Sequence, residues 1–220
     1  MPVRPPLLFR LFACVFALGL AAPSWGQQDA QIRIVQREAL VLGTPQASES
    51  VLDVVSVRFV DGGWKREAIE AAFRQGATIL AQCEVRLARV EFVVVDAPRE
   101  FQLYSTPVSR NFARRAAFSR PTVYFVRDTL NLPAFDAEAI GRSNSGTRPE
   151  LLNTIWVTQG TPDLGIALAH ELAHLLMDNG AHAEAAGNLM RADTAVENTR
   201  LDADQCARML RSGREGGLLR

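Results

Sequence analysis

The sequence predicts an α+β domain in which a twisted mixed sheet packs on a long N-terminal helix and on a second, Ala/Leu-rich helix, with a further helix at the C-terminus. Three observations predict it. β-Branched runs recur at 54–60, 90–95, 122–126 and 152–157, each bounded by Gly, Pro or Asp. Between the first two runs, and again after the last, apolar spacing changes from the strand period to the helical one. A hydrophobic content of 48% in 220 residues is enough for one sizeable core, and no internal repeat divides the chain.

Residues 1–26 read as a cleavable targeting segment. Arg4 and Arg10 give the positive start, and Leu11 to Leu20 is too short to span a bilayer comfortably. Ala21-Ala22-Pro23-Ser24-Trp25-Gly26 supplies small residues for cleavage before Gln27. An uncleaved anchor is the alternative. Cleavage removes two arginines and no acid, which leaves 22 basic against 24 acidic side chains. No net field then favours nucleic acid or an anionic membrane. The mature chain is expected in an oxidising compartment, periplasmic or extracellular, as a monomer with no stable membrane span. Cleavage also removes Cys14. Cys83 and Cys206 remain and are expected to pair; two buried thiols are the alternative.

Residues 27–50 are an edge strand or a leader, with 51–220 as the main unit. The run 54–60 is a strand, and Asp61-Gly62-Gly63 a turn. Ile69, Phe73, Gly76 and Leu80 recur at steps of four, three and four, so Trp64 to Gln82 is helical. Residues 85–87 and 90–95 form one or two strands, ended by Ala97-Pro98. Arg110, Arg114, Arg115 and Arg120 cluster on a short helix and read as a solvated face. The stretch 128–150 is a long loop with an extended piece at 137–141, and 152–157 is the last strand. Thr161-Pro162-Asp163 can open the second helix, whose stripe is Leu164, Leu168, Leu172 and Leu175 and whose stop lies near Asp178-Asn179-Gly180, with Gly180 as the left-handed cap. Asp202 and Gln205 make a capping box for the last helix.

The second helix carries His170-Glu171-x-x-His174. Positions i and i+4 share one helical face, so both imidazoles can reach one ion, and imidazole suits zinc. Glu171 stands beside the first ligand, where a carboxylate can hold and deprotonate a metal-bound water. A catalytic zinc normally takes three protein ligands. The third histidine of the chain, His182, lies just past the helix, and all three fall within thirteen residues. Glu197 and Glu184 are the alternative third ligands.

His170-Glu171-x-x-His174, a glycine turn, His182 and then Gly187-Asn188-Leu189-Met190 resemble the metzincin zinc endopeptidases. The eight residues from His182 to Met190 match the matrixin-type spacing. The resemblance implies a single metzincin-like domain, with Met190 as the Met-turn methionine beneath the ion. It departs from the family pattern where Met177 and Gly180 occupy the positions of the usual glycine and third histidine, and Ala192 stands where an astacin-like branch has tyrosine. It also implies the function: an exported endopeptidase using Zn2+, with Glu171 as general base. Its substrates would be peptides or proteins, bound extended along 122–126 or 137–141. A secreted zinc-containing binding domain without turnover is the remaining reading.

Overall fold

The sheet grows from a β-α-β unit: β2 (Ser50–Phe59), α1 (Arg66–Leu80) and β3 (Val85–Asp96). The computed structural model describes residue 1 and residues 31–44, 46 and 49–220. The targeting segment expected over 1–26 lies, beyond its first residue, outside them. β2 leaves the sheet at the Asp61-Gly62-Gly63 turn, where Gly63 has φ +80°, a conformation that costs glycine little. α1 then buries Ile69, Phe73, Gly76 and Leu80, as its helical spacing requires.

Six strands lie in the order β1-β3-β2-β5-β8-β7, with β1 (Arg33–Val41), β5 (Thr122–Phe125), β7 (Ala137–Ile140) and β8 (Thr154–Val157). The four central strands are parallel, and the two edges, β1 and β7, run antiparallel to their neighbours. β5 and β8 are buried on both faces, which is why they read as unbroken apolar runs. β1 is exposed and charged, as an open edge should be: Arg37 pairs with Glu91 and Glu38 with Arg66. The expected break between 87 and 90 is instead a bulge. Ala88 is an extra residue opposite the Leu52/Asp53 step, and β3 continues through it as one strand.

One face of the sheet carries α1, α3 (Leu164–Met177) and α4 (Ala203–Glu215) over a core that includes Phe73, Phe92, Phe125, Leu168, Leu172 and Met209. The other is covered by α2 (Thr106–Ala116) above Phe59, Phe112, Tyr124 and Trp156. The short strands β4 (Leu103–Tyr104) and β6 (Asp128–Thr129) pair beside it. Arg110 makes a two-pronged ion pair with Glu150, at 2.7 and 3.0 Å, so the arginine cluster on α2 is in part internally neutralised. That pairing holds the Glu150 carboxyl down at about 2.

α3 differs from an amphipathic surface helix. Every residue from Gly165 to Met177 is buried, because helices, sheet and loops enclose it. α1 crosses it closely: a side chain at Gly165 would run into Gln75. Its ends also differ from expectation. The helix begins at Leu164 behind Asp163, and the Thr161 hydroxyl donates to Asp136 and Thr158 carbonyls instead of capping. The left-handed residue that stops it is Asp178, φ 49°, and Gly180 lies further on. There the Asp178 carboxylate accepts the Ser143 amide at 2.8 Å, which fixes the loop after β7 against the helix end. The Asp202–Gln205 capping box of α4 forms as the sequence suggests.

A disulfide joins Cys83, just after α1, to Cys206 in the first turn of α4, 123 residues away. Replacing both cysteines by serine is expected to lower stability by roughly 2–5 kcal/mol, read as a drop in the denaturant midpoint. An unchanged midpoint would remove the bridge from the account of stability. Among the described residues, no helix is long and apolar enough to cross a membrane.

Candidate metal centre

The cleft lies between α3, the edge strand β7 and the loop that follows α3. It is a cavity of about 550 Å³, lined by His170, Glu171, His174 and His182 with Ala137 and Ala139 of β7. His170 and His174 stand four residues apart on α3, so they leave it one turn apart, and both line the cleft. After Asp178 the chain turns back, and the Asn179 side chain accepts the Ala181 amide to close the turn. That return brings His182 to the other two.

The three ligating nitrogens lie within 4.8 Å of one another. His174 Nε2 and His182 Nε2 are 3.3 Å apart. Two nitrogens each about 2.1 Å from a tetrahedral zinc would stand about 3.4 Å apart, so the spacing fits the ion. Tautomers fit it as well. His170 Nδ1 contacts the Leu189 carbonyl at 2.7 Å, and His174 Nδ1 contacts the Asn179 carbonyl at 2.6 Å. A carbonyl only accepts, so each Nδ1 carries the hydrogen and each Nε2 presents a lone pair. Converging lone pairs repel until a cation separates them. The trio could hold a metal ion, and its donors suit zinc.

Burial holds His170 below its ordinary range and pushes His174 down to about 4, with the nearby His170 adding to the second effect. Both imidazoles therefore remain neutral, and able to ligate, below the usual pKa of 6.5. Zinc affinity in a chelator competition is expected to collapse toward pH 4, as the two buried imidazoles take up protons. Affinity kept at pH 4 would contradict their assignment as ligands.

Glu171 lies beside the trio, 8% exposed. Burial raises its carboxyl to about 8 in the metal-free protein, opposed by a hydrogen bond from the Ala139 amide of β7. A nearby dication would favour the ionised form instead. Met190 is buried within the α1/α3/α4 core, and its carbonyl accepts the Ala183 amide, next to His182. Glu184 and Glu197 are exposed, and neither belongs to the trio's group.

Of the two stretches expected to bind substrate, 122–126 cannot offer an edge. β5 sits inside the sheet between β2 and β8, with both sides paired. The stretch 137–141 contains β7, which is the edge at the cleft. The residues that orient the ligands through backbone carbonyls, Leu189 and Asn179, carry no side-chain signal and were not legible in the sequence.

No family model and no curated protein matches the chain. Among solved structures, it is similar to metalloproteinase-II from Bacteroides fragilis, with TM-score 0.52 and 18% identity over 80% of this chain and 57% of that one. The two share a fold over the aligned residues. This chain spans less than two thirds of that neighbour's length. It is also similar to archaemetzincin from Methanopyrus kandleri, with TM-score 0.47 and 14% identity over 77% and 98% of the two chains. The described residues have the α+β architecture expected from the sequence: a mixed sheet, the long first helix, the histidine-bearing helix and a C-terminal helix.

Proposed function

We propose that the chain is an exported zinc-dependent endopeptidase of metzincin type. The observation that carries the reading is the convergence of three imidazoles beside a buried carboxylate, in an open cleft with a sheet edge along one wall. His170, His174 and His182 would hold the ion. The shared fold and the name of the Bacteroides fragilis neighbour support the same reading.

When bound, zinc acidifies a water and polarises the scissile carbonyl. The chain's own groups do the rest. Glu171 takes the water proton on its carboxylate and delivers it to the leaving amine nitrogen. The Ala139 amide fixes the Glu171 carboxylate, so that proton transfer starts from a set position. Met190 gives an apolar floor that limits the rotamers of the imidazoles above it. Extended substrate lies along β7 and is read mainly through backbone pairing, so small side chains such as Ala137 and Ala139 leave room for it. Residues 1–26 would direct export and be removed, leaving 51–220 as the catalytic unit behind the β1 edge. The disulfide fits an oxidising compartment, periplasmic or extracellular.

The test is to purify the mature chain, measure zinc per chain, and assay cleavage of casein and of a peptide library. One zinc per chain with chelator-sensitive cleavage is the expected result. A zinc-loaded protein that cleaves neither would overturn the peptidase reading.

A further inference from the structure

We infer that Asn188 and Gln205 are a positioning pair that sets the orientation of the metal ligand His170 from the start of α4. Two amides face each other and exchange hydrogen bonds: Asn188 Nδ2 donates to Gln205 Oε1 at 3.0 Å, and Gln205 Nε2 donates to Asn188 Oδ1 at 3.1 Å. Their oxygens are assigned by independent donors. Asn188 Oδ1 also accepts the Met190 amide at 2.8 Å, and Gln205 Oε1 accepts the Asp202 amide at 2.9 Å. Each NH2 group is thereby left to face its partner's oxygen.

Between the two bonded ends of this loop lies the Leu189 carbonyl, the group that accepts from His170 Nδ1. The Leu189 amide donates to the Arg200 carbonyl at 2.7 Å, so the peptide is held on both sides. One residue further, the Met190 carbonyl receives the Ala183 amide and ties in the segment carrying His182. Asn188 is buried, 6% exposed, so loss of its partner would leave polar atoms without water. Gln205 is itself held, because its Oε1 accepts the Asp202 backbone amide and its neighbour Cys206 is bonded to Cys83. Ahead of α4, Gln82 accepts the Leu201 amide and donates to the Thr199 carbonyl, which anchors the same segment to the end of α1. The pair therefore links the disulfide-bound helix to the acceptor that fixes the His170 tautomer. Groups in such an outer layer commonly change metal affinity 10–100-fold.

This inference rests on the zinc reading of the trio, and the experiment separates the two. Zinc dissociation constants are measured by chelator competition for wild type, Gln205→Leu, Gln205→Glu and Asp202→Ala, alongside melting of each metal-free protein. Gln205→Leu is expected to weaken zinc about 10-fold or more. Gln205→Glu keeps the acceptor for Asp202 and sets a carboxylate against Asn188 Oδ1, so it is expected to weaken zinc several-fold while α4 stays capped. Asp202→Ala removes the helix cap without touching Asn188, so it should lower the melting temperature and leave the zinc constant unchanged. A wild-type zinc constant in both Gln205 variants would overturn the inference alone. So would equal weakening by Asp202→Ala. A wild-type protein that does not bind zinc would overturn the reading beneath it.

Discussion

Glu171→Gln is expected to hydrolyse peptide about 100–10,000-fold more slowly than wild type while holding zinc about as tightly, since acid–base catalysis by one group contributes roughly 10²–10⁴-fold. The glutamine has the same shape, keeps an oxygen for the Ala139 amide, and cannot accept the water proton. The same variant makes a second, opposite statement about stability. In the metal-free protein the Glu171 carboxyl sits at about 8, against an ordinary 4.5. Between those values the folded state binds more protons than the unfolded one, so wild-type stability falls as pH rises from 4.5 to 8. Glu171→Gln lacks that slope and should be the more stable protein at pH 8, by about 1–3 kcal/mol, with the difference shrinking toward pH 5. Denaturant melts at the two pH values read it. Equal cleavage by the variant and wild type would remove Glu171 from the chemistry.

The second large effect belongs to His182. His182→Ala leaves two imidazoles on α3, and zinc affinity is expected to fall by about 1,000-fold or more, because a three-ligand site is reduced to two. Glu184→Ala and Glu197→Ala should leave it unchanged, since both side chains are exposed and outside the trio. Loss of zinc in Glu197→Ala with retention in His182→Ala would transfer the third ligand to the glutamate. The result matters because His182 stands two residues later than the metzincin pattern allows. The longer helix end, stopped by Asp178 and folded back through the Asn179–Ala181 turn, is what accommodates the difference.

Much of the site was legible because its signals are local. Histidines four apart on a helix share a face in any fold, and the Asp202–Gln205 capping box depends on residues three apart. The pairing of Cys83 with Cys206 was legible because they are the two cysteines outside residues 1–26. What was not legible depends on partners far along the chain. Thr161 has the chemistry of a cap, but the Asp136 carbonyl, 25 residues earlier, takes its hydroxyl. The runs 122–126 and 137–141 look equally able to form an edge, and only the strand order decides that β5 is interior. Ala88 looked like a break between strands because alternation fails at a bulge, which is visible only against β2. The uniformly buried α3 showed in sequence as an Ala/Leu-rich run with a leucine stripe; its alanines and Gly165 matter because α1 crosses close by.

X-ray absorption at the zinc edge of the loaded protein is the most direct test. The predicted spectrum has three imidazole nitrogens at about 2.0–2.1 Å and one further light atom, with no sulfur. A first shell of two imidazoles with a protein carboxylate, or one containing sulfur, would contradict the assignment of His170, His174 and His182 as the metal site.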